Sequence, residues 1–181
     1  MTNTGLRAQN RTARWLTEVF QPPVVVAVQL LFVCVLPLLL LLGLVRLGKV
    51  TDHHVSNRKQ RVPVLLMALA SVAAGLLVLE SVGAPRSVVV MVLAIVAGIL
   101  VIAAVSPFWK ISGHAAAISS SAVIAVLMLG PAWLPLLLLI PAVGWSRVVL
   151  RAHTPAQVVA GALFGGLVMA GIWWLMRGWL I

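Results

Sequence analysis

Carboxylates are nearly missing from this chain. Glu18, Asp52 and Glu80 are the whole supply, against 13 Lys and Arg, for a net charge of +10. None of the three lies mid-way along an apolar run, where coupled transporters keep their acids, and no inverted repeat is visible. A small transporter or channel is therefore disfavoured. Cysteine is limited to Cys34, inside an apolar run. An internal disulfide is excluded, and the redox compartment is left open. Charge of either sign is scarce too: 9% of residues are charged and 62% are hydrophobic, whereas soluble domains carry about 25% charged residues. A water-soluble core of 181 residues could not hide that much apolar surface, so lipid must be the solvent for most of the chain. In a membrane protein a basic excess points to anionic headgroups. It does not point to nucleic acid, because the basic residues form no long stripe.

What is present is a series of apolar runs. A span needs about 20 apolar residues. Val24–Val45, Val62–Val82, Ser87–Val105 and Pro155–Met176 meet that length. Ala115–Leu129 and Ala132–Gly144 are shorter, and read either as two thin spans around Gly130-Pro131 or as one re-entrant hairpin. The favoured reading is an all-α, polytopic membrane protein: a six-transmembrane helix bundle over residues 23–181, preceded by a basic N-terminal arm, residues 1–22. The arm begins like a signal peptide, but the apolar run after it is too long for an h-region and no small-residue cleavage site ends it. Trp15, Trp109, Trp133, Trp145, Trp173, Trp174 and Trp179 all fall near span ends, at the headgroup level that indole prefers, or else they pack between helices. The chain leaves room for a homo-oligomer.

Parity places the polar breaks 46–61, 106–114 and 145–154 on one membrane face. They hold Arg46, Lys49, Arg58, Lys59, Arg61, Lys110, Arg147 and Arg151, against Arg7, Arg11, Arg14, Arg86 and Arg177 on the other. By that count the face with the breaks is cytoplasmic. Glu80 near the end of the second span is expected to snorkel or pair with Arg86.

The third break runs Ser146-Arg147 to His153-Thr154-Pro155-Ala156-Gln157. Thr154 as N-cap, Pro155 at the first helical position and Gln157 at N3 make a capping box. His153 then sits beside a helix N-terminus, which favours an anion and disfavours imidazolium. A neutral histidine next to a bound anion is what a nucleophilic imidazole requires. In the second break, Lys110-Ile111-Ser112-Gly113-His114, Ser112 caps the next helix and Gly113 lets backbone approach a ligand. His114 can donate a proton to a leaving oxygen. In the first break, Arg58, Lys59 and Arg61 can hold phosphate oxygens by charge-assisted hydrogen bonds.

Together the breaks resemble the signature motifs of the type-2 phosphatidic acid phosphatase family, which shares its site with vanadium haloperoxidases. Ser112-Gly113-His114 matches the second motif, with Ile111 where the family has proline. Ser146-Arg147, five residues, then His153 matches the third; Gln157 stands at the family's aspartate. Arg61-Val62-Pro63 matches the first least well, since Val62 is extra and His54 stands where a lysine is expected. The resemblance covers about 110 residues. It implies that His153 attacks phosphorus and that His114 protonates the leaving oxygen. Arg147, Arg61, Arg58 or Lys59, and the backbone of Ser112 and Gly113, would neutralise the phosphoryl oxygens. Gln157 would orient His153 through its amide oxygen, without a carboxylate's charge. No metal and no cofactor are implied.

Blander readings stand beside these. Gln157 also reads as a cap alone, and Arg151 as a lipid-phosphate anchor. Ser119-Ser120-Ser121 and Gly161, Gly165 and Gly166 read as helix-packing residues. Asp52, His53 and His54, with His114 and His153, invite a metal, although adjacent histidines rarely reach one ion. The leading function is an integral-membrane phosphatase acting on a lipid phosphate or a polyprenyl-linked phosphate or diphosphate. The alternative is a weak or inactive relative that binds lipid phosphate or supports a complex.

Overall fold

The computed structural model describes residues 23–52, 55 and 57–180. The basic arm, His53, His54 and Ser56 lie outside the described residues, and with them the metal reading of the two adjacent histidines. The rest is helical: α1 (Pro23–Arg46), α2 (Arg58–Ser81), α3 (Arg86–Val105), α4 (Gly113–Leu129), α5 (Pro131–Val149) and α6 (Pro155–Leu180). This is the six-helix bundle that the apolar runs predict.

Proline shapes two of the helices. In α1 the residues Leu30–Val35 widen into π turns just before Pro37, whose ring would otherwise crowd the preceding turn. Ser71 Oγ donates to the Phe32 carbonyl at 2.7 Å, supplying a donor within the widened segment. The first part of α5, Pro131–Leu138, is 3-10 helix and contains Pro135. That geometry settles the length of the hairpin around Gly130. The 17 residues of α4 rise about 26 Å at ~1.5 Å each. Eight 3-10 residues and 11 α residues give α5 about 32 Å. Both match a hydrocarbon core of about 30 Å.

The fifth helix also ends later than its sequence predicts. Ser146 and Arg147 are not in a loop; they occupy the last turns of α5, which runs to Val149. Ser146 satisfies its own hydroxyl by donating to the Val143 carbonyl at 2.8 Å, so a polar residue there does not end the helix. The third break thus shrinks to residues 150–154.

Two apolar clusters hold the bundle. Val25, Val72, Leu79 and Val92 join α1, α2 and α3; Ala94, Ile124 and Met169 join α3, α4 and α6. The closest pair is α4 with α6. A Cβ on Gly161 would run into the Ser112 carbonyl, one on Gly165 into the Ala116 backbone, and one on Gly166 into Ser119 Oγ. Ser120 Oγ donates to the Gly165 carbonyl at 2.9 Å. Gly161, Gly165, Gly166, Ser119 and Ser120 are packing residues, as expected from small-residue contacts between membrane helices, whereas Ser121 is exposed.

At the end away from the three breaks, Arg86 donates to the Trp179 carbonyl at 3.0 Å and stacks on its ring at 5.5 Å. Arg86 therefore engages α6 and not Glu80, which is exposed; an aromatic face and a carbonyl satisfy the guanidinium without a carboxylate. Trp109, Trp133, Trp145, Trp174 and Trp179 are exposed, as interfacial indoles should be, while Trp173 packs against the second cluster.

Candidate active site

Three helix ends meet at the other end of the bundle: the starts of α4 and α6 and the end of α5. Ser112 caps α4, its Oγ accepting from Ala115 N at 3.3 Å. Thr154 caps α6 in a complete capping box. Thr154 N donates to Gln157 Oε1 at 3.1 Å, and Gln157 N donates to Thr154 Oγ1 at 3.4 Å. One backbone bond ties the second break to the third: Ser112 N donates to the Gln157 carbonyl at 3.1 Å.

Arg147 sets the position of His153 through its own backbone. Its carbonyl accepts from Ala152 N at 3.0 Å and His153 N at 3.2 Å, and Arg151 N donates to the Val148 carbonyl at 2.9 Å. This is the Schellman closure of a helix. Its left-handed position belongs to Arg151, with φ 52°. Glycine usually stands there; a residue with a Cβ costs about 1–2 kcal/mol in that conformation. Arg147 Nε donates to Ser146 Oγ at 3.3 Å, so the serine of the Ser-Arg pair orients the guanidinium.

His153 is half-buried, with Nδ1 3.3 Å from Gln157 Oε1. The Thr154 backbone N–H can only donate, so the Gln157 atom it meets is the amide oxygen. His153 Nδ1, facing the same oxygen, must carry the hydrogen, and Nε2 keeps its lone pair. Burial, then the charge of Lys110, lower the His153 pKa from 6.5 to about 4, helped by Arg61 and His114 and opposed by the Gln157 bond. Burial and Arg61 also hold Lys110 below the usual lysine range, with Asp52 acting the other way. The imidazole is neutral at pH 7.

His114, Arg147 and His153 line one pocket of about 250 Å³ together with Lys110, Arg151, Leu150 and Ala152. Its wall carries three cationic side chains and no carboxylate. Arg61 is not part of the wall but is near it: it donates from Nε to the Val55 carbonyl at 3.1 Å, and its charge reaches both His153 and Lys110. Ser112 is fully buried. Its N–H donates to the Gln157 carbonyl and its Oγ accepts the cap bond, so its backbone N–H is not offered to an oxyanion. Gly113 opens α4 and lines a second, apolar cavity of about 430 Å³ between the helices, with Ala94, Gly98, Ala117 and Gly165. Lys59 is exposed and does not line the polar pocket. The Arg58 side chain lies outside what the structure describes.

Lys110 and Arg151 were not expected in the wall. Lys110 is adjacent to the second motif, four residues before His114, and that proximity was its only signal. In the sequence Arg151 falls inside a longer break, and only the end of α5 at Val149 places it at a helix stop.

A family model for the PAP2 superfamily matches residues 32–180. The chain belongs to the PAP2 superfamily. Its members are phosphatases, and together with the long apolar helices this supports a phosphoric ester hydrolase built into a membrane. No curated protein and no solved structure matches the chain.

Proposed function

We propose that this PAP2 superfamily member removes phosphate from a lipid phosphate, or from a polyprenyl-linked phosphate or diphosphate, through a phosphohistidine on His153. One observation carries the reading: a neutral His153, its Nε2 lone pair exposed by the Gln157 bond, shares a cation-walled pocket with His114 and Arg147. Nε2 attacks phosphorus. Arg147 and Lys110, with Arg61 near them, neutralise the charge that builds on the equatorial oxygens. The N-termini of α4 and α6 add to that field, and the Gly113 N–H is the backbone donor. His114, exposed at the rim, gives its proton to the leaving oxygen. Water then cleaves the N–P bond and frees phosphate. Lys59, exposed near the start of α2, adds to the positive field that attracts the anionic substrate. The apolar cavity that begins at Gly113 offers a place for a hydrocarbon chain beside the headgroup, which favours a lipid over a soluble ester.

The test is phosphate release by the purified protein from a panel of lipid phosphates, with and without chelator. Release should resist chelator and disappear in His153→Ala. His114→Ala should lower kcat by about 10²–10⁴. Loss of release to chelator would replace the mechanism with a metal-dependent one. The second reading, a phosphate-binding protein without turnover, is favoured by the uncharged Gln157 beside the nucleophile; phosphate binding with no release from any lipid would establish it.

A further inference from the structure

We propose that Arg151 holds a second phosphate group of the substrate, on the leaving side of the reacting phosphorus, and so selects lipid diphosphates. This inference rests on the phosphatase reading above.

Arg151 occupies the one backbone position of the α5 stop that calls for glycine: φ is 52° and the Schellman bonds close around it. Strain of this kind concentrates where function needs the side chain. The side chain lines the pocket with Lys110, His114, Arg147 and His153. It is the third cation of that wall. Lys110 and Arg147 already flank the nucleophile, with Arg61 in electrostatic reach of His153.

Depth orders these groups. His153 and Arg147 are half-buried, whereas His114 and Arg151 are exposed. Arg151 and the proton donor are thus the exposed polar groups of the pocket wall, and the proposed leaving group sits against them. Size agrees: a pocket of about 250 Å³ holds roughly eight waters at ~30 Å³ each, about twice the oxygens of one phosphate.

In the reaction, the bond from His153 Nε2 to the terminal phosphorus forms as the bridging P–O bond breaks. The lipid monophosphate departs with the electron pair on the former bridging oxygen, and Arg151 and His114 stabilise that charge. Water then cleaves the N–P bond, returning neutral imidazole and inorganic phosphate.

The test compares kcat/KM for a prenyl diphosphate and a prenyl monophosphate in mixed micelles, using the full chain, Arg151→Gly, Arg151→Asn and Arg151→Lys. Glycine and asparagine tolerate the left-handed conformation, so thermal midpoints should hold or rise. The ratio of diphosphate to monophosphate kcat/KM should fall about tenfold or more in both, the scale of one charge-assisted hydrogen bond. Lysine should restore part of it. An unchanged ratio, or equal losses on both substrates, would overturn the proposal and return Arg151 to anchoring lipid headgroups. Thermal shifts with inorganic pyrophosphate and inorganic phosphate provide the second arm. Should the wild type turn over neither lipid, the phosphatase reading fails and this arm decides. A larger shift with pyrophosphate, lost in Arg151→Gly, supports the diphosphate site; equal shifts reject it.

Discussion

Gln157 does two jobs through one oxygen. It accepts the Thr154 N–H that opens α6 and faces Nδ1 of His153. An amide orients the imidazole and favours its charged form only weakly, so burial and Lys110 dominate and the pKa falls to about 4. Attack needs the neutral ring, so the acid limb of kcat/KM should lie near that value. Gln157→Glu keeps the side chain's length and adds a charge that favours imidazolium. The limb should then move upward, toward the ordinary histidine value of about 6.5. Lys110→Met removes a repelling cation and should move it the same way while weakening phosphate binding. Profiles of kcat/KM against pH for the three proteins check both, and superimposable curves would remove Gln157 from the mechanism.

The pair α4 and α6 brings the motifs together, and it does so by backbone contact. Gly161 and Gly165 lie against the Ser112 and Ala116 backbones, while Gly171 on the same helix meets nothing within 4 Å. Gly165→Ala should therefore push the helices apart and cost about 1–3 kcal/mol, seen as a lower thermal midpoint in detergent and as lost activity. Gly171→Ala should be neutral or stabilising by up to ~1 kcal/mol through helix propensity. If both variants melt together with the wild type, the close packing is not what holds the site. At the same scale, Thr154→Ala removes the hydroxyl that accepts the Gln157 N–H, a cap whose typical worth is about 1 kcal/mol, but keeps the backbone N–H that holds Gln157 Oε1. It should lower the thermal midpoint while leaving the orientation of His153, and hence most of the activity, in place.

For the whole molecule, the low His153 pKa is also a stability statement. Between pH 6.5 and about 4 the unfolded chain binds this proton and the native protein does not. The unfolded state holds more protons in that window, so stability rises with pH across it. The contribution is fully present above pH 6.5 and is gone once the pH has fallen through about 4. Thermal midpoints of the wild type should decline over that interval, and His153→Ala should flatten the decline. Charge orientation also reads differently at this scale. The cytoplasmic assignment counted eight cations on the site face. Lys110, Arg147 and Arg151 line the pocket and Arg61 lies near it. Without them Arg46, Lys49, Arg58 and Lys59 face five cations on the other side, and the count no longer gives a direction.

The sequence by itself determined what depends on near neighbours and on solvent. Run lengths gave six helices, because a bilayer core accepts only spans of sufficient length. Parity put the breaks on one face. The capping box of Thr154 and Gln157 was readable because its partners are three residues apart. Only the tertiary structure decided which cations belong to the site. Lys110 enters the wall, and Ser112 loses its N–H to Gln157, because α6 lies against α4 along its glycines, a contact between residues far apart in the chain. The end of α5 at Val149 was likewise illegible, since Ser146 hides its polarity in a bond to its own helix and the stop falls on an arginine where glycine would have marked it.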